Sequence, residues 1–201
     1  MEILHFIFCP FFDVLHPKFY YSAVLQTILY GKMAFAMKRI LVVGPSGAGK
    51  SFFSRRLGEI LKIEVHHLDN LFWKNDRTHI SREEFDEKLA LLLKEQQWII
   101  DGDYSRTYEM RFHACDTIFF LNITLDECLQ GVQSRIGTYR PDIPWAETSF
   151  DPDFRDWIIR WFDNTLPVLN DLLEKYRSEK TIVIFNSRKE AEEYLEQIKT
   201  K

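Results

Sequence analysis

The run Gly44, Pro45, Ser46, Gly47, Ala48, Gly49, Lys50, Ser51 fits the pattern G-x-x-x-x-G-K-[ST]. The chemistry such a run supports is phosphate binding. Its glycines let the backbone curl until amide N–H groups point at phosphates, and the N-terminus of a following helix adds positive potential. Lys50 is placed to reach the β and γ phosphates of a nucleotide and Ser51 to ligate Mg²⁺, which makes ATP with Mg²⁺ the expected cofactor pair. Phe52 closes the expected binding run and opens the helix.

A second chemical signal is the apolar Trp98, Ile99, Ile100 ending on Asp101, followed by Gly102, Asp103, Tyr104, Ser105 and Arg106. In a doubly wound sheet the carboxyl ends of strands face the ligand crevice, so Asp101 is a candidate for the Mg²⁺ shell or its waters. The alternative is an ordinary Asp-Gly turn. His66 and His67 read as packing and hydrogen-bonding residues, because no Cys or carboxylate spacing completes a metal site around them. Trp73, Trp145, Trp157 and Trp161 could line an acceptor pocket or fill core positions.

These residues need a scaffold, and from Lys38 onward strand and helix signals alternate. Strands are expected at 39–43, 64–68, 98–101, 117–121 and 181–185, mostly as continuous apolar runs typical of strands covered on both faces. Ser81 with Glu84, Thr124 with Glu127 and Ser187 with Glu190 match the capping box and predict three helix starts. Residues 153–176 predict a long helix or helix pair with Pro167 as a kink or break, and 137–144 carries loop chemistry.

The 201 residues, 46% hydrophobic, suit one α/β domain spanning 37–201. Segment 1–36 differs in composition and reads as an N-terminal extension outside the core, with Met37 as the natural start; a native surface helix is the alternative. Its longest apolar run is too short to span a bilayer, so no membrane association is expected. A net charge of −4 without a basic stripe argues against direct DNA binding. Cys9, Cys115 and Cys128, odd in number and without C-x-x-C spacing, suggest reduced thiols and a cytoplasmic protein.

The phosphate loop, then His67, Leu68, Asp69 with Trp73, then the run from Trp98 to Ser105, together resemble the adenylate kinase-related family known as DNA topology modulation proteins (FlaR-like). The likeness runs from about Met37 to the C-terminus. It implies a P-loop NTPase three-layer sandwich of the nucleoside/nucleotide kinase type. Such a fold has a five-stranded parallel sheet of order 2-3-1-4-5, a helical lid over the phosphates, and an acceptor-binding segment between the second and third strands. It also implies that Asp69 orients or deprotonates an acceptor hydroxyl and that Arg135 and Arg140 act as lid arginines on the transferred phosphoryl group; the alternatives are a cap or turn before Asn70 for Asp69 and plain surface solvation for either Arg. Asp103, Arg106, Arg111 and Arg160 are further substrate candidates beside Asp69 and Trp73. One departure is Gly131, where the family usually carries an Arg that in adenylate kinases stacks on the base; Tyr139 or the turn at Asn186 and Ser187 could hold the base instead.

The resulting expectation is an Mg-ATP-dependent phosphotransferase acting on a nucleotide or another small hydroxylated acceptor. A nucleotide-binding regulator that affects DNA topology indirectly, without kinase activity, is the alternative. A plain ATPase is the weaker reading, since no water-positioning residue can be named.

Overall fold

The computed structural model describes residues 37–199, so segment 1–36 and the extension assigned to it lie outside the described residues. Five strands form one parallel sheet: β1 (Arg39–Val43), β2 (Val65–His67), β3 (Trp98–Asp101), β4 (Thr117–Leu121) and β5 (Thr181–Phe185). Their order is β2-β3-β1-β4-β5, as expected from the resemblance. The helices are α1 (Lys50–Leu61), α2 (Leu68–Phe72), α3 (Arg82–Leu92), α4 (Tyr108–Ala114), α5 (Leu125–Ser134), α6 (Pro152–Asn164), α7 (Leu166–Tyr176) and α8 (Arg188–Lys199).

The central strands are apolar at every step because alternate side chains enter two different cores. Ile40, Val42, Ile99, Phe119 and Leu121 pack with Phe53 and Leu57 of α1, Cys128 and Val132 of α5, and Leu195 of α8. Leu41, Val43, Ile100, Ile118 and Phe120 pack with Phe85 and Leu89 of α3, Phe112 of α4 and Leu169 and Leu173 of α7. This gives three layers, helix, sheet, helix. Each fully buried aliphatic or aromatic side chain contributes roughly 1.5–3 kcal/mol.

The helix starts follow the local chemistry. Thr124 completes a full capping box with Glu127. The Ser81 side chain accepts from the Glu84 amide at 3.0 Å. At α8 the Ser187 hydroxyl accepts from the Glu190 amide, while the Glu190 carboxylate reaches one residue further back, to the Asn186 amide at 2.8 Å. Pro167 sits in the first turn of α7, where its missing N–H costs nothing, and so separates α6 from α7.

Two helices lacked a sequence signal. Leu68 begins α2 rather than ending β2, and α4 follows β3 through a 3₁₀ turn at Ser105–Thr107. The segment covering the phosphate end is helical only at its ends, in α5 and α6. Residues 135–151 between them are turns and bends, with Pro141 and Pro144 disfavouring helix. The Gly137 amide donates to the Glu147 carbonyl at 2.8 Å and closes this loop. Among the described residues no helix is long and apolar enough to cross a membrane. Cys115 and Cys128 are free and buried, and burial pushes their thiols up to about 12 and about 11.

Candidate functional site

The sheet register creates the site. Asp101 at the end of β3 pairs with Val42 of β1 on one side and His67 of β2 on the other. The three chains leaving these strands therefore start side by side: the phosphate loop after Val43, Asp69 in α2, and Gly102 to Tyr104 after β3. A cavity of about 1100 Å³ opens over them.

The phosphate loop is shaped by backbone no side chain could follow. Gly47 has φ 86°, and a Cβ there would lie 2.1 Å from the Cys128 carbonyl oxygen. Gly49 (φ 99°) starts α1 without a side-chain cap, leaving the first amides of the helix available to an anion. Lys50 is buried, and its Nζ donates to the Pro45 carbonyl at 2.8 Å. Burial lowers the Lys50 pKa, opposed by the charges of Asp103, Asp101 and Asp69. Ser46, Gly47, Gly49, Lys50, Ser51 and Phe52 line the cavity, whereas Ala48 is fully buried in the core.

Asp101 is buried, with Oδ1 2.7 Å from His67 Nδ1. Its Oδ2 is buried without a partner. Burial alone would depress the His67 pKa, but the hydrogen bond and charge of Asp101 prevail and raise it. The orphaned carboxylate oxygen and the Ser51 hydroxyl on the same cavity wall fit Mg²⁺, which binds few protein ligands and keeps water and phosphate oxygens around it. Among the described residues no three His, Cys, Asp or Glu side chains gather into a cluster able to hold a metal by themselves.

Asp69 lines the cavity and accepts a hydrogen bond from the Tyr104 hydroxyl at 2.9 Å. Burial raises its pKa; the Tyr104 bond opposes the shift and nearby Asp101 adds to it. Tyr104 has a left-handed backbone (φ 33°), unusual for an aromatic residue. Arg111 holds it there. Fully buried, Arg111 donates to the carbonyls of Gly102, Asp103 and Tyr104 and to the Thr107 hydroxyl. Arg111 is thus spent on the loop after β3 and does not line the cavity; Arg160, on exposed α6 surface, does not line it either. Asp103 does line it, with its carboxylate accepting from the Tyr108 hydroxyl.

Arg135 and Arg140 both face the cavity from the covering loop, each already paired. Glu147 lies 2.9 Å from Arg135 and 2.6 Å from Arg140, and Arg140 also grips Asp142. Asp142 is buried 3.8 Å from Arg55 of α1. Burial pushes the Asp142 carboxyl up, but Arg140 and the Ser51 hydroxyl outweigh it and hold its pKa at about 2. Arg106 is held bidentately by Asp86 at 2.7 and 2.6 Å. Trp73 and Trp145 meet edge to face at 5.5 Å and line the cavity with Trp157, whereas Trp161 is core.

Sequence reading did not single out Arg55, Asp142, Glu147 or Arg188. Asp142 and Glu147 sit in a loop whose partners are set by its folded path, and no spacing rule marks them. Arg188 belonged to a helix-start motif. In the structure its guanidinium also donates to the carbonyls of Gly47 at 2.9 Å and Glu127 at 2.7 Å. A Cβ at Gly131 would fall 2.4 Å from the Gly47 carbonyl oxygen and 2.5 Å from that guanidinium. The space expected to hold an Arg at 131 is thus taken by the loop and by Arg188. Tyr139 is almost fully exposed at the cavity edge, and the Asn186 side chain accepts from Asn122.

No family model matches the chain, and no curated protein matches it. Among solved structures, a shikimate kinase from Bacteroides thetaiotaomicron is similar at 18% identity and TM-score 0.52, over 82% of this chain and 97% of that one. A deoxyadenosine kinase from M. mycoides aligns at 11% identity and TM-score 0.46, over 80% of this chain and 96% of that one. A sugar kinase from a Janibacter species aligns at 13% identity and TM-score 0.47, over 82% and 93%. Identities this low speak for fold alone, and only the first likeness has the TM-score to carry weight. With the sheet order, that likeness shows that the chain has the fold of the P-loop kinases.

Proposed function

We propose that this chain is an ATP-dependent phosphotransferase, related to adenylate kinases, that moves the γ-phosphoryl group of Mg-ATP to a nucleotide or another small hydroxylated acceptor in the cytoplasm. The observation that carries the reading is the convergence of Lys50, Asp101 and Asp69 on one cavity floored by the phosphate loop.

Most of the catalysis is positioning and charge neutralisation. The amides of the loop and the start of α1 receive the phosphates, and Lys50 exchanges its Pro45 contact for phosphate oxygens. Ser51 and the free Oδ2 of Asp101 would hold Mg²⁺ or its waters, while His67 fixes the other carboxylate oxygen. The metal supplies charge neutralisation on the phosphate oxygens. Asp69, oriented by Tyr104, takes the proton of the acceptor hydroxyl as its oxygen bonds to the γ-phosphorus. The bond from that phosphorus to the bridging oxygen breaks and ADP carries the electron pair away. Arg135 and Arg140 trade part of their contact with Glu147 and Asp142 for the oxygens of the transferring group.

The test is product formation. With γ-labelled ATP and a panel of nucleotides, nucleosides, sugars and hydroxy acids, label is expected in one acceptor class. Release of inorganic phosphate alone would contradict the kinase reading.

A further inference from the structure

We infer that the acceptor end of the cavity is built for a small hydroxylated anion, a molecule with both a hydroxyl for Asp69 and a carboxylate or phosphate for Arg77 and Arg82. The inference rests on the kinase reading and names the substrate class of the same site.

The acceptor end lies between two segments that already touch. Residues 69–82 form one wall and the covering loop the other. Asn70 donates to the Pro141 carbonyl at 2.8 Å, Trp73 meets the edge of Trp145, and Arg77 reaches to the Ala146 carbonyl at 3.4 Å. This leaves a chamber lined by aromatic rings, by Asp69 and by arginines.

The charges in this chamber are not balanced among themselves. Arg106 is neutralised by its bidentate contact with Asp86, and Arg135 and Arg140 by Glu147 and Asp142. Arg77 and Arg82 line the same cavity, and among the described residues neither forms an ion pair. The carboxylates at this end, Asp69 and Asp103, are each engaged by a tyrosine hydroxyl, and neither pairs with those two arginines.

The position of Arg77 is built rather than incidental. The chain reverses between bridge partners Trp73 and His79, the Lys74 amide donates to Thr78 at 2.8 Å, and the Asp76 carboxylate binds both the amide and the hydroxyl of Thr78. Arg77 itself is held at φ 65° in this turn, a backbone usually left to glycine or asparagine. Arg82 is the first residue of α3, behind its Ser81 cap. Two exposed guanidinium groups free of carboxylates, on fixed backbone and lining the same cavity as a candidate base, suit a planar anion. A carboxylate and a phosphate share this chemistry.

The experiment is calorimetry on the full chain saturated with Mg²⁺ and a non-hydrolysable ATP analogue. Matched pairs are titrated, among them thymidine with thymidine 5′-monophosphate, and cyclohexane-1,3-diol with 3-hydroxycyclohexanecarboxylate. The anionic member of at least one pair is expected to bind about tenfold or more tightly than its neutral partner. That advantage is expected to disappear in the double variant Arg77→Gln, Arg82→Gln, with analogue affinity and melting temperature unchanged. A phosphate preference and a carboxylate preference identify the two sources of the anion. Equal binding of neutral and anionic members, no binding by any pair, or an anion preference that survives the double variant overturns the inference. Phosphoryl transfer is assayed in parallel. Anion binding through the two arginines without transfer upholds the site and counts against the kinase reading. Efficient transfer to neutral acceptors alone does the reverse.

Discussion

The guanidinium of Arg188 lies 2.9 Å from the carbonyl oxygen of Gly47, so the first turn of the last helix is tied to the phosphate loop near the start of the chain's first crossover. The contact exists because residue 131 has no side chain. Gly131→Ala is expected to displace either the loop or Arg188, at a cost of about 1–3 kcal/mol typical of overpacking. Arg188→Ala is expected to loosen the loop with a smaller loss of stability. Both should weaken binding of a fluorescent ATP analogue, read beside a thermal melt; unchanged analogue affinity in both variants would show that the tie has no bearing on the nucleotide.

Asp69 is the carboxylate placed to receive a proton. Asp69→Asn should lower phosphoryl transfer by roughly 10²–10⁴-fold while nucleotide affinity stays near that of the parent. Burial raises the Asp69 pKa, so the carboxylate protonates, and the rate falls, at a higher pH than it would for the same group exposed to water. A pH–rate profile checks this. Tyr104→Phe removes the opposing hydrogen bond and should move the acidic limb to still higher pH.

The His67 and Asp101 pair links stability to pH. The folded-state pKa of His67 is raised above its ordinary 6.5, so the folded state holds the proton more tightly than the unfolded chain. The contribution is full below the unfolded pKa and is lost as pH rises through the folded one. Urea melts of the parent and of His67→Gln should differ most below the ordinary histidine pKa and converge once the pH has risen past the raised folded-state pKa. A difference that grows with pH would contradict the sign.

Removing Arg111 leaves three buried carbonyls and a hydroxyl without their donor. With each unsatisfied buried group costing about 1–3 kcal/mol, Arg111→Met is expected to destabilise the fold by about 3 kcal/mol or more. It should also release the left-handed Tyr104 and lower activity. Arg111→Lys should rescue little, because one ammonium cannot replace a planar fork. Chemical denaturation measures the first effect and transfer kinetics the second.

Much of this protein is legible in one dimension. The phosphate loop from Gly44 to Ser51, the five strands and the capped starts of α3, α5 and α8 follow from local rules: backbone freedom at glycine, apolar runs buried on two faces, and hydroxyls that cap helices. These depend on neighbours within a few residues, so sequence alone determines them. The order of the strands came only through resemblance, and α2 and α4 gave no clear local signal.

What the tertiary structure alone decided is how long-range partners spend their charge. Arg111 resembled a substrate residue in sequence, yet folding buries it against three carbonyls after β3. Arg188 looked like part of a helix start and instead grips the phosphate loop. Arg135 and Arg140 reach the cavity already paired with Glu147 and Asp142, which no spacing rule marks. An arginine's role depends on which acceptors lie within about 3 Å of its fork, and that is settled only when segments far apart in the chain are packed together.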